Sequence, residues 1–221
     1  MKKIFSLLVS NLFENRCLIC SQSSGNQYAC SNCVLDFKER KENYTKNFKN
    51  IIVYSWGYYE SKLRTGILSL KNGRKKLAPL FADILVNFWQ NLKLNKNSNT
   101  IVIPVPSHPK RIKERGFCQS SLIASIFAKS LSLEYQNNFV ERIKNTKHMN
   151  NLTNIQERKE NIKNAFKINH AQPDMSNTTQ ILIIDDILTS GSTLCEIAKV
   201  IVYSYPCINV EGLTVASGDS W

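Results

Sequence analysis

An aliphatic run that ends in two acidic residues places the strongest constraint on the fold of this 221-residue chain. The segment ILIIDDILTSGSTL occupies residues 181–194. Four consecutive aliphatic residues are typical of a strand buried on both faces, as in a parallel sheet. The small hydroxyl and glycine residues that follow are typical of a loop that opens a helix. The segment therefore predicts a strand–loop–helix unit of an α/β protein.

Strand and helix patterns alternate along much of the remaining chain. β-Branched and aliphatic runs predict strands, and apolar residues at helical spacing predict helices. Strands are predicted at 51–59, 101–106, 181–185 and 208–216, and helices at 61–92 (broken near Asn72 and Gly73), 121–133 and 192–205. Residues 155–168 start as a helix and end extended, and the polar stretch 36–50 is a linker or a frayed helix. This alternation predicts an α/β fold around a parallel sheet.

Four of the seven cysteines lie close together, in the spacing C-x2-C-x9-C-x2-C. Cys17, Cys20, Cys30 and Cys33 form two CxxC pairs, and their four thiolates suit the tetrahedral shell of Zn²⁺. Disulfides are the alternative, but they require an oxidising compartment. Because four thiolates leave no ligand position for a catalytic water, the spacing predicts a structural zinc finger.

The N-terminal segment is predicted to be a separate unit. Residues 1–40 hold a short helix followed by the zinc finger, and residues 41–221 form the α/β domain. Polar residues interrupt the apolar run at the start, and no small-residue cleavage site follows, so a signal peptide is not predicted. No stretch of about 18 apolar residues is present. A cytoplasmic location is therefore expected.

The chain carries an excess of positive charge. It has 29 Lys and Arg against 17 Asp and Glu, a net charge of +12. The excess lies mainly in residues 61–76, 107–115 and 140–167. A solvated lysine-rich surface is one interpretation. The other is an anionic partner such as nucleic acid, polyphosphate or a phosphorylated substrate.

The acidic pair and the loop after it predict a phosphate-binding site. Ligands of open parallel sheets bind beyond the carboxyl ends of the strands, where Asp185 and Asp186 are expected. Backbone N–H groups at the start of the following helix bind anions. Carboxylates beside them can accept hydrogen bonds from vicinal hydroxyls, so the pattern predicts a ribose 5-phosphate. Helix capping by Ser190 or Ser192 is the alternative, but it leaves the two charges unexplained.

The segment ILIIDDILTSGST resembles the phosphoribosyl pyrophosphate (PRPP) motif of type I phosphoribosyltransferases. Together with the cysteine finger, YYESKLRTGILSLKNGRKKLA, IPVPSHPKRIKERGFCQS and RKENIKNAF, it resembles the ComF/GntX family of competence-associated phosphoribosyltransferase-like proteins. Cys118 stands where that family usually has asparagine. The resemblance implies a type I phosphoribosyltransferase fold, a central mainly parallel sheet flanked by helices, with an N-terminal four-cysteine zinc finger.

The resemblance also implies roles for individual residues. Asp185 and Asp186 are the implied catalytic positions, where they meet the ribose hydroxyls, and Mg²⁺ accompanies PRPP. The residues implied for the phosphates are Thr189, Ser190, Gly191, Ser192 and Thr193 at the 5-phosphate, and Ser107, Lys110, Arg111 and Arg115 at the pyrophosphate.

Two functions are compatible with these residues. The first is a competence protein that binds PRPP with Mg²⁺, and single-stranded DNA through its basic surfaces, during uptake and handling of transforming DNA. Competence or recombination proteins at the inner face of the membrane are then the implied partners, with a peripheral location. The alternative is an active phosphoribosyltransferase of nucleotide metabolism, which transfers ribose 5-phosphate from PRPP to an unidentified acceptor. The sequence shows no motif that would recognise the acceptor of the ribose 5-phosphate.

Overall fold

The computed structural model describes residues 16–25, 27–39, 43–92, 99–146, 154–169 and 174–218. The predicted N-terminal helix lies outside these residues. Within the described part of the chain, no helix is long and apolar enough to cross a membrane.

Among the described residues, eight strands form two sheets. They are β1 (Tyr44–Phe48), β2 (Ile51–Tyr58), β3 (Thr100–Pro104), β4 (Glu134–Tyr135), β5 (Val140–Arg142), β6 (Phe166–Ile168), β7 (Gln180–Leu188) and β8 (Asn209–Ser217). The central sheet has six strands in the order β1-β2-β8-β7-β3-β4, and β5 pairs with β6 in a separate antiparallel sheet. Within the central sheet only β1 pairs antiparallel with its neighbour.

In the same described ranges, one α-helix precedes the first strand, and six further α-helices and one 3-10 turn lie between strands. They are α1 (Ser31–Glu39), α2 (Ser61–Lys71), the 3-10 turn (Lys75–Leu77), α3 (Ala78–Asn91), α4 (Pro109–Arg115), α5 (Gln119–Ser130), α6 (Ile155–Ile162) and α7 (Ser192–Ser204). The predicted break near Asn72 and Gly73 separates α2 from the 3-10 turn and α3, and Gly73 has a φ of +101°.

Each face of the central sheet is covered by its own apolar cluster. Because side chains alternate along a strand, Leu182 and Ile184 of β7 pack with α2, α3 and α5, whereas Ile181 and Ile183 pack with α7 and the β5–β6 pair. All four side chains are fully buried. These observations confirm the predicted fold class, a central mainly parallel sheet flanked by helices.

The interpretation of residues 36–50 as a linker or frayed helix is wrong in part. Helix α1 continues to Glu39, and Tyr44–Phe48 forms β1, whose register with β2 runs from Tyr44↔Ser55 to Phe48↔Ile51. A two-residue turn, Lys49–Asn50, therefore closes the hairpin. The strand alternates half-buried and exposed residues, and its polar residues, which include Lys46, suit the edge of a sheet, where no further strand should pair.

The cysteine segment shares the core of the larger sheet. Cys17, Cys30 and Cys33 belong to the same apolar cluster as α2 and α3. Phe37 of α1 stacks on Phe81 of α3 with 6.4 Å between ring centroids. The absence of a side chain at Gly66 of α2 permits this close approach, because an added Cβ would lie 3.1 Å from Cζ of Phe81.

Candidate functional site

The candidate site lies where β3 and β7 separate. Their ladder ends at the pair Pro104↔Ile184, with one further hydrogen bond from the N–H of Val105 to the carbonyl of Ile184 at 2.9 Å. From β3 the chain continues to β4 on one side, and from β7 it continues to β8 on the other. This reversal of direction opens a crevice at the carboxyl ends of the two strands, the usual ligand site of such sheets.

The acidic pair lies at this crevice, although not beyond the end of its strand as the sequence predicted. Strand β7 runs on through Asp185 and Asp186 to Leu188, because β8 continues to pair with it as far as Ser217. On the other side, β3 has already ended. The two carboxylates therefore lie inside a strand with one free edge.

The crevice contains a cavity of about 510 Å³. Of the sequence-predicted site residues, its lining includes Ser107, Arg111, Arg115, Asp185, Asp186, Thr189 and Thr193. Lys110 lies on the exposed side of α4, and Ser190 and Ser192 line a different cavity. The lining also includes polar or aromatic residues that were not predicted as site residues, namely Tyr59, Arg64, Lys71, Gln119, Ser120 and Arg142.

Polar neighbours fix the orientation of both carboxylates. Nζ of Lys71, the last residue of α2, lies 3.1 Å from Oδ2 of Asp186. Ser120 at the start of α5 donates its hydroxyl to Oδ1 of Asp185 at 2.7 Å, and the backbone N–H of Asp186 donates to the same oxygen at 2.9 Å. Three elements, α2, α5 and β7, thus meet at the acidic pair.

The environment shifts the protonation equilibria of this cluster. Burial, together with the negative charge of Asp186, raises the pKa of Asp185 to about 7, against the opposing effects of Ser120 and Lys71. Burial alone would lower the pKa of Lys71, but the nearby carboxylates of Asp186 and Asp185 raise it. Near neutral pH, Asp185 is therefore poised to ionise, and a bound cation would favour its ionised form.

Arginines also line the cavity, among them Arg111, Arg115 and Arg142. Arg111 donates from Nη2 to the carbonyl of Thr146 at 2.9 Å, and Arg142 donates to the hydroxyl of the same threonine. Burial and repulsion from Arg111 lower the pKa of Arg142 to about 10. Nε of Arg142 is buried and has no hydrogen-bond partner within the described ranges. A buried, unpaired guanidinium donor beside two other arginines suits a ligand with several phosphate oxygens.

The loop between β7 and α7 closes one end of the cavity. Gly191 precedes the first turn of α7 and has a φ of +72°. The first backbone N–H groups of α7, like those of any α-helix, have no intrahelical partners. The side chains of Thr189 and Thr193 face the cavity. On the other side of the loop, the Phe48 ring packs so closely that a Cβ at Gly191 would lie 2.3 Å from its Cζ. Glycine is therefore required for both the backbone conformation and this contact.

The four predicted zinc ligands come together. Their sulfur atoms all lie within 4.8 Å of one another, with 3.8 Å between Cys17 and Cys33 and 3.6 Å between Cys20 and Cys30. A tetrahedral ion with Zn–S bonds of about 2.3 Å requires sulfur–sulfur separations of about 3.8 Å. Burial disfavours the Cys17 thiolate, but backbone N–H groups that donate to its sulfur lower its pKa to about 6. The cluster could therefore hold a zinc ion.

The sequence contained partial signals for the residues that it missed. Lys71 belongs to the basic run at 61–76, and Arg142 belongs to the run at 140–167. A charge run does not indicate which of its members faces a cavity, because that depends on the packing of whole elements. Ser120 carried no signal of its own, since a serine near the start of a helix is ordinary.

Comparison with known proteins agrees with the resemblance stated from the motifs. No family model matches the chain. It is 33% identical to Competence protein F of Haemophilus influenzae over 100 residues, which cover 45% of this chain and 43% of that protein. It is 28% identical to DNA utilization protein YhgH of Salmonella typhi over 134 residues, 58% of this chain and 56% of that protein. The chain thus matches about half the length of these relatives, and the resemblance to the ComF family is confirmed.

Among solved structures, the chain is similar to adenine phosphoribosyltransferase from Leishmania tarentolae, with 11% identity, a TM-score of 0.37, and coverage of 79% of this chain and 94% of that one.

The Lys71–Asp186 pair leads to a prediction about stability. The folded-state pKa of Asp185 is raised, so its ionisation costs stability as the pH rises from about 4 towards 7. Lys71→Met keeps the apolar stem but removes the charge that offsets this cost. We expect it to lower the free energy of unfolding by about 1–2 kcal/mol more at pH 8 than at pH 5, measured by urea denaturation.

The matched control is Lys129→Met, which removes an exposed lysine from the far end of α5. It should change stability little at either pH. An equal loss at pH 5 and pH 8 for Lys71→Met would show that the lysine does not compensate the acidic pair.

Proposed function

We propose that this ComF-like chain is a competence protein that binds PRPP with Mg²⁺ in the cavity between β3 and β7 and handles transforming single-stranded DNA. The observation that carries the proposal is the presence of both kinds of charge in one cavity. Two carboxylates and several arginines line it, together with threonines from the loop that leads into the N-terminus of α7. This arrangement suits a ligand with a diol in its middle and phosphates at both ends.

The ribose and its 5-phosphate would lie along β7. The carboxylates of Asp185 and Asp186 would accept hydrogen bonds from the two vicinal hydroxyls. The 5-phosphate would then lie at the loop 189–193, where backbone N–H groups of α7 and the hydroxyls of Thr189 and Thr193 are available as donors. In this arrangement Ser190 and Ser192 contribute through their backbone only, because their side chains line the other cavity.

The pyrophosphate would lie beside the arginines that line the cavity. Arg111, Arg115 and Arg142 provide guanidinium groups there, and Ser107 adds a hydroxyl. Mg²⁺ prefers carboxylate and phosphate oxygens, so Asp185 and Asp186 would hold it together with the ligand. The ion would supply charge neutralisation between the acidic pair and the phosphates. Asp185 would hold the ion in its ionised form. Because its pKa is raised to about 7, that form predominates only above neutral pH.

The role in DNA handling is supported by the relatives and by the surface. One relative is named for competence, as Competence protein F, and the other for DNA utilization, as YhgH. This chain has a net charge of +12 and pairs basic with aromatic side chains. Nζ of Lys76 lies 5.3 Å from the ring centroid of Tyr28, which is 52% exposed on the cysteine segment. Such pairs can bind a single-stranded backbone and stack its bases.

We also propose that the four cysteines hold a structural zinc ion. Purified protein should contain one zinc per chain by elemental analysis. Cys33→Ser should lose the metal and unfold the segment that packs on α2 and α3, because a serine hydroxyl does not replace a thiolate. The control is Cys207→Ser, since Cys207 is exposed and lies outside the cluster. A wild-type protein without metal would contradict the assignment.

The PRPP proposal is tested by calorimetry with PRPP and Mg²⁺. Asp185→Asn together with Asp186→Asn should weaken binding at least about ten-fold, equivalent to about 1.4 kcal/mol, because amides are weaker acceptors and do not hold the cation. Arg142→Gln should weaken binding of PRPP more than binding of ribose 5-phosphate, which lacks the pyrophosphate.

Asp83→Asn is the matched control, because Asp83 is exposed on α3 and does not line the cavity. Equal affinity of the wild type and the double variant for PRPP would end the assignment. Release of pyrophosphate during the titration, in the presence of a nucleobase, would favour the alternative of an active phosphoribosyltransferase.

The DNA proposal predicts strong salt dependence. In gel shifts, affinity for a single-stranded oligothymidylate should fall steeply between about 50 and 200 mM salt, because phosphate contacts release counterions. Tyr28→Ala combined with Lys76→Gln should weaken binding, whereas Lys129→Gln should not. Absence of binding at about 50 mM salt would contradict this part of the proposal.

A further inference from the structure

A second cavity lies behind the loop that closes the first. It has a volume of about 610 Å³ and is enclosed by the β1–β2 hairpin, α6 and α7. We refer to it as the rear pocket. The loop contributes Ser190 and Ser192 to the lining of this pocket, and their hydroxyls hydrogen-bond to each other at 2.8 Å. Only one of the two hydroxyl protons is used in that bond, so the pair has one proton left to donate.

Lysines surround the opening of the rear pocket. Two glutamates also line it, but both are engaged in ion pairs. Nζ of Lys163 lies 3.7 Å from Glu160, and Nζ of Lys199 lies 3.4 Å from Glu196, whose carboxylate also accepts the N–H of Asn164 at 2.8 Å. The five lysines of the lining are Lys46, Lys49, Lys159, Lys163 and Lys199. The opening thus carries an excess of three positive charges and favours an anionic ligand.

The lining of the rear pocket also includes apolar atoms and an aromatic ring. Phe48, which is half-buried, and Ile162 contribute this carbon surface. The ammonium group of Lys46 lies 5.5 Å from the centroid of the Phe48 ring, so the ring and a positive charge are adjacent. A bare phosphate would leave the apolar surface uncovered, whereas an apolar ligand would leave the lysines unused. A ligand that joins a planar aromatic group to a phosphate matches both.

We propose that the rear pocket binds a nucleoside monophosphate unit, with its base against Phe48 and Ile162 and its phosphate among Lys46, Lys49 and Lys159. The volume of the pocket falls within the range of sites for small ligands, roughly 300–1,000 Å³. The unit can come from a free nucleotide or from a single-stranded nucleic acid that passes over the opening. The site lies outside the cavity proposed for PRPP and does not depend on it.

The test uses thymidine monophosphate and a short oligothymidylate as probes, with binding followed by calorimetry. Lys46→Gln combined with Lys159→Gln should weaken at least one probe ten-fold or more, because two phosphate partners are removed. Phe48→Leu should weaken binding of the same probe. Leucine still packs against Gly191, but it has no ring on which a base can stack. The control, Lys129→Gln combined with Lys167→Gln, removes two exposed lysines that do not line the rear pocket and should leave binding unchanged.

The probes distinguish the two sources of the ligand. Binding of the monophosphate that is lost in the rear-pocket variants identifies a free-nucleotide site. Binding of the oligomer alone, lost in the same variants, identifies a nucleic-acid site. The proposal is overturned if neither probe binds the wild type, or if the rear-pocket variants bind both probes as the wild type does.

The same titrations on the Asp185→Asn and Asp186→Asn double variant separate the two cavities. That variant should retain the rear-pocket ligand even where PRPP binding is lost. A loss of the probe in this variant but not in the rear-pocket variants would place the ligand in the first cavity and refute the proposal. Circular dichroism melts of each variant are used to check that the substitutions leave the fold intact.

Discussion

The pairing of Lys71 with Asp186 is the interaction on which the arrangement around the first cavity depends. Two adjacent carboxylates inside a strand of a buried sheet repel each other and lose hydration, so they persist only beside a compensating charge and hydrogen-bond donors. Lys71 supplies the charge at 3.1 Å, and Ser120 supplies a donor to Asp185. These two contacts attach the end of α2 and the start of α5 to β7. The crevice between β3 and β7 therefore has walls at fixed positions.

The cysteine segment supports the same helix. Phe37 of α1 packs near Gly66 of α2, and Arg74, just after α2, donates to the backbone carbonyl of Leu18. The segment thus contacts α2 along its length and immediately beyond its end. Since Lys71 is the last residue of α2, packing of the cysteine segment contributes to the placement of the ammonium group at the acidic pair. This gives a physical reason for a small four-cysteine segment to accompany this type of cavity.

Local sequence patterns specified the elements better than their assembly. The aliphatic run and the hydroxyl loop predicted β7 and α7, and the CxxC spacing predicted a cysteine cluster that the structure brings within 4.8 Å. Strand β1 was missed because its polar composition hides the alternation of half-buried residues. Lys71 and Arg142 were not singled out, since sequence does not state which member of a charge run faces inward. The pyrophosphate-loop expectation named Lys110, Arg111 and Arg115 together. The structure places Arg111 and Arg115 in the lining of the cavity, whereas Lys110 is exposed and does not line it.

The loop after β7 illustrates why a motif does not assign each of its side chains. Thr189 and Thr193 face one cavity, and Ser190 and Ser192 face the other. Phe48, from an edge strand that sequence reading did not recognise, occupies the space beside Gly191 and separates the two sides. One loop is therefore the shared wall of two cavities with positively charged linings. The threonine side chains of this loop line one cavity and the serine hydroxyls line the other. Residues 189–193 can therefore donate hydrogen bonds to ligands in both cavities.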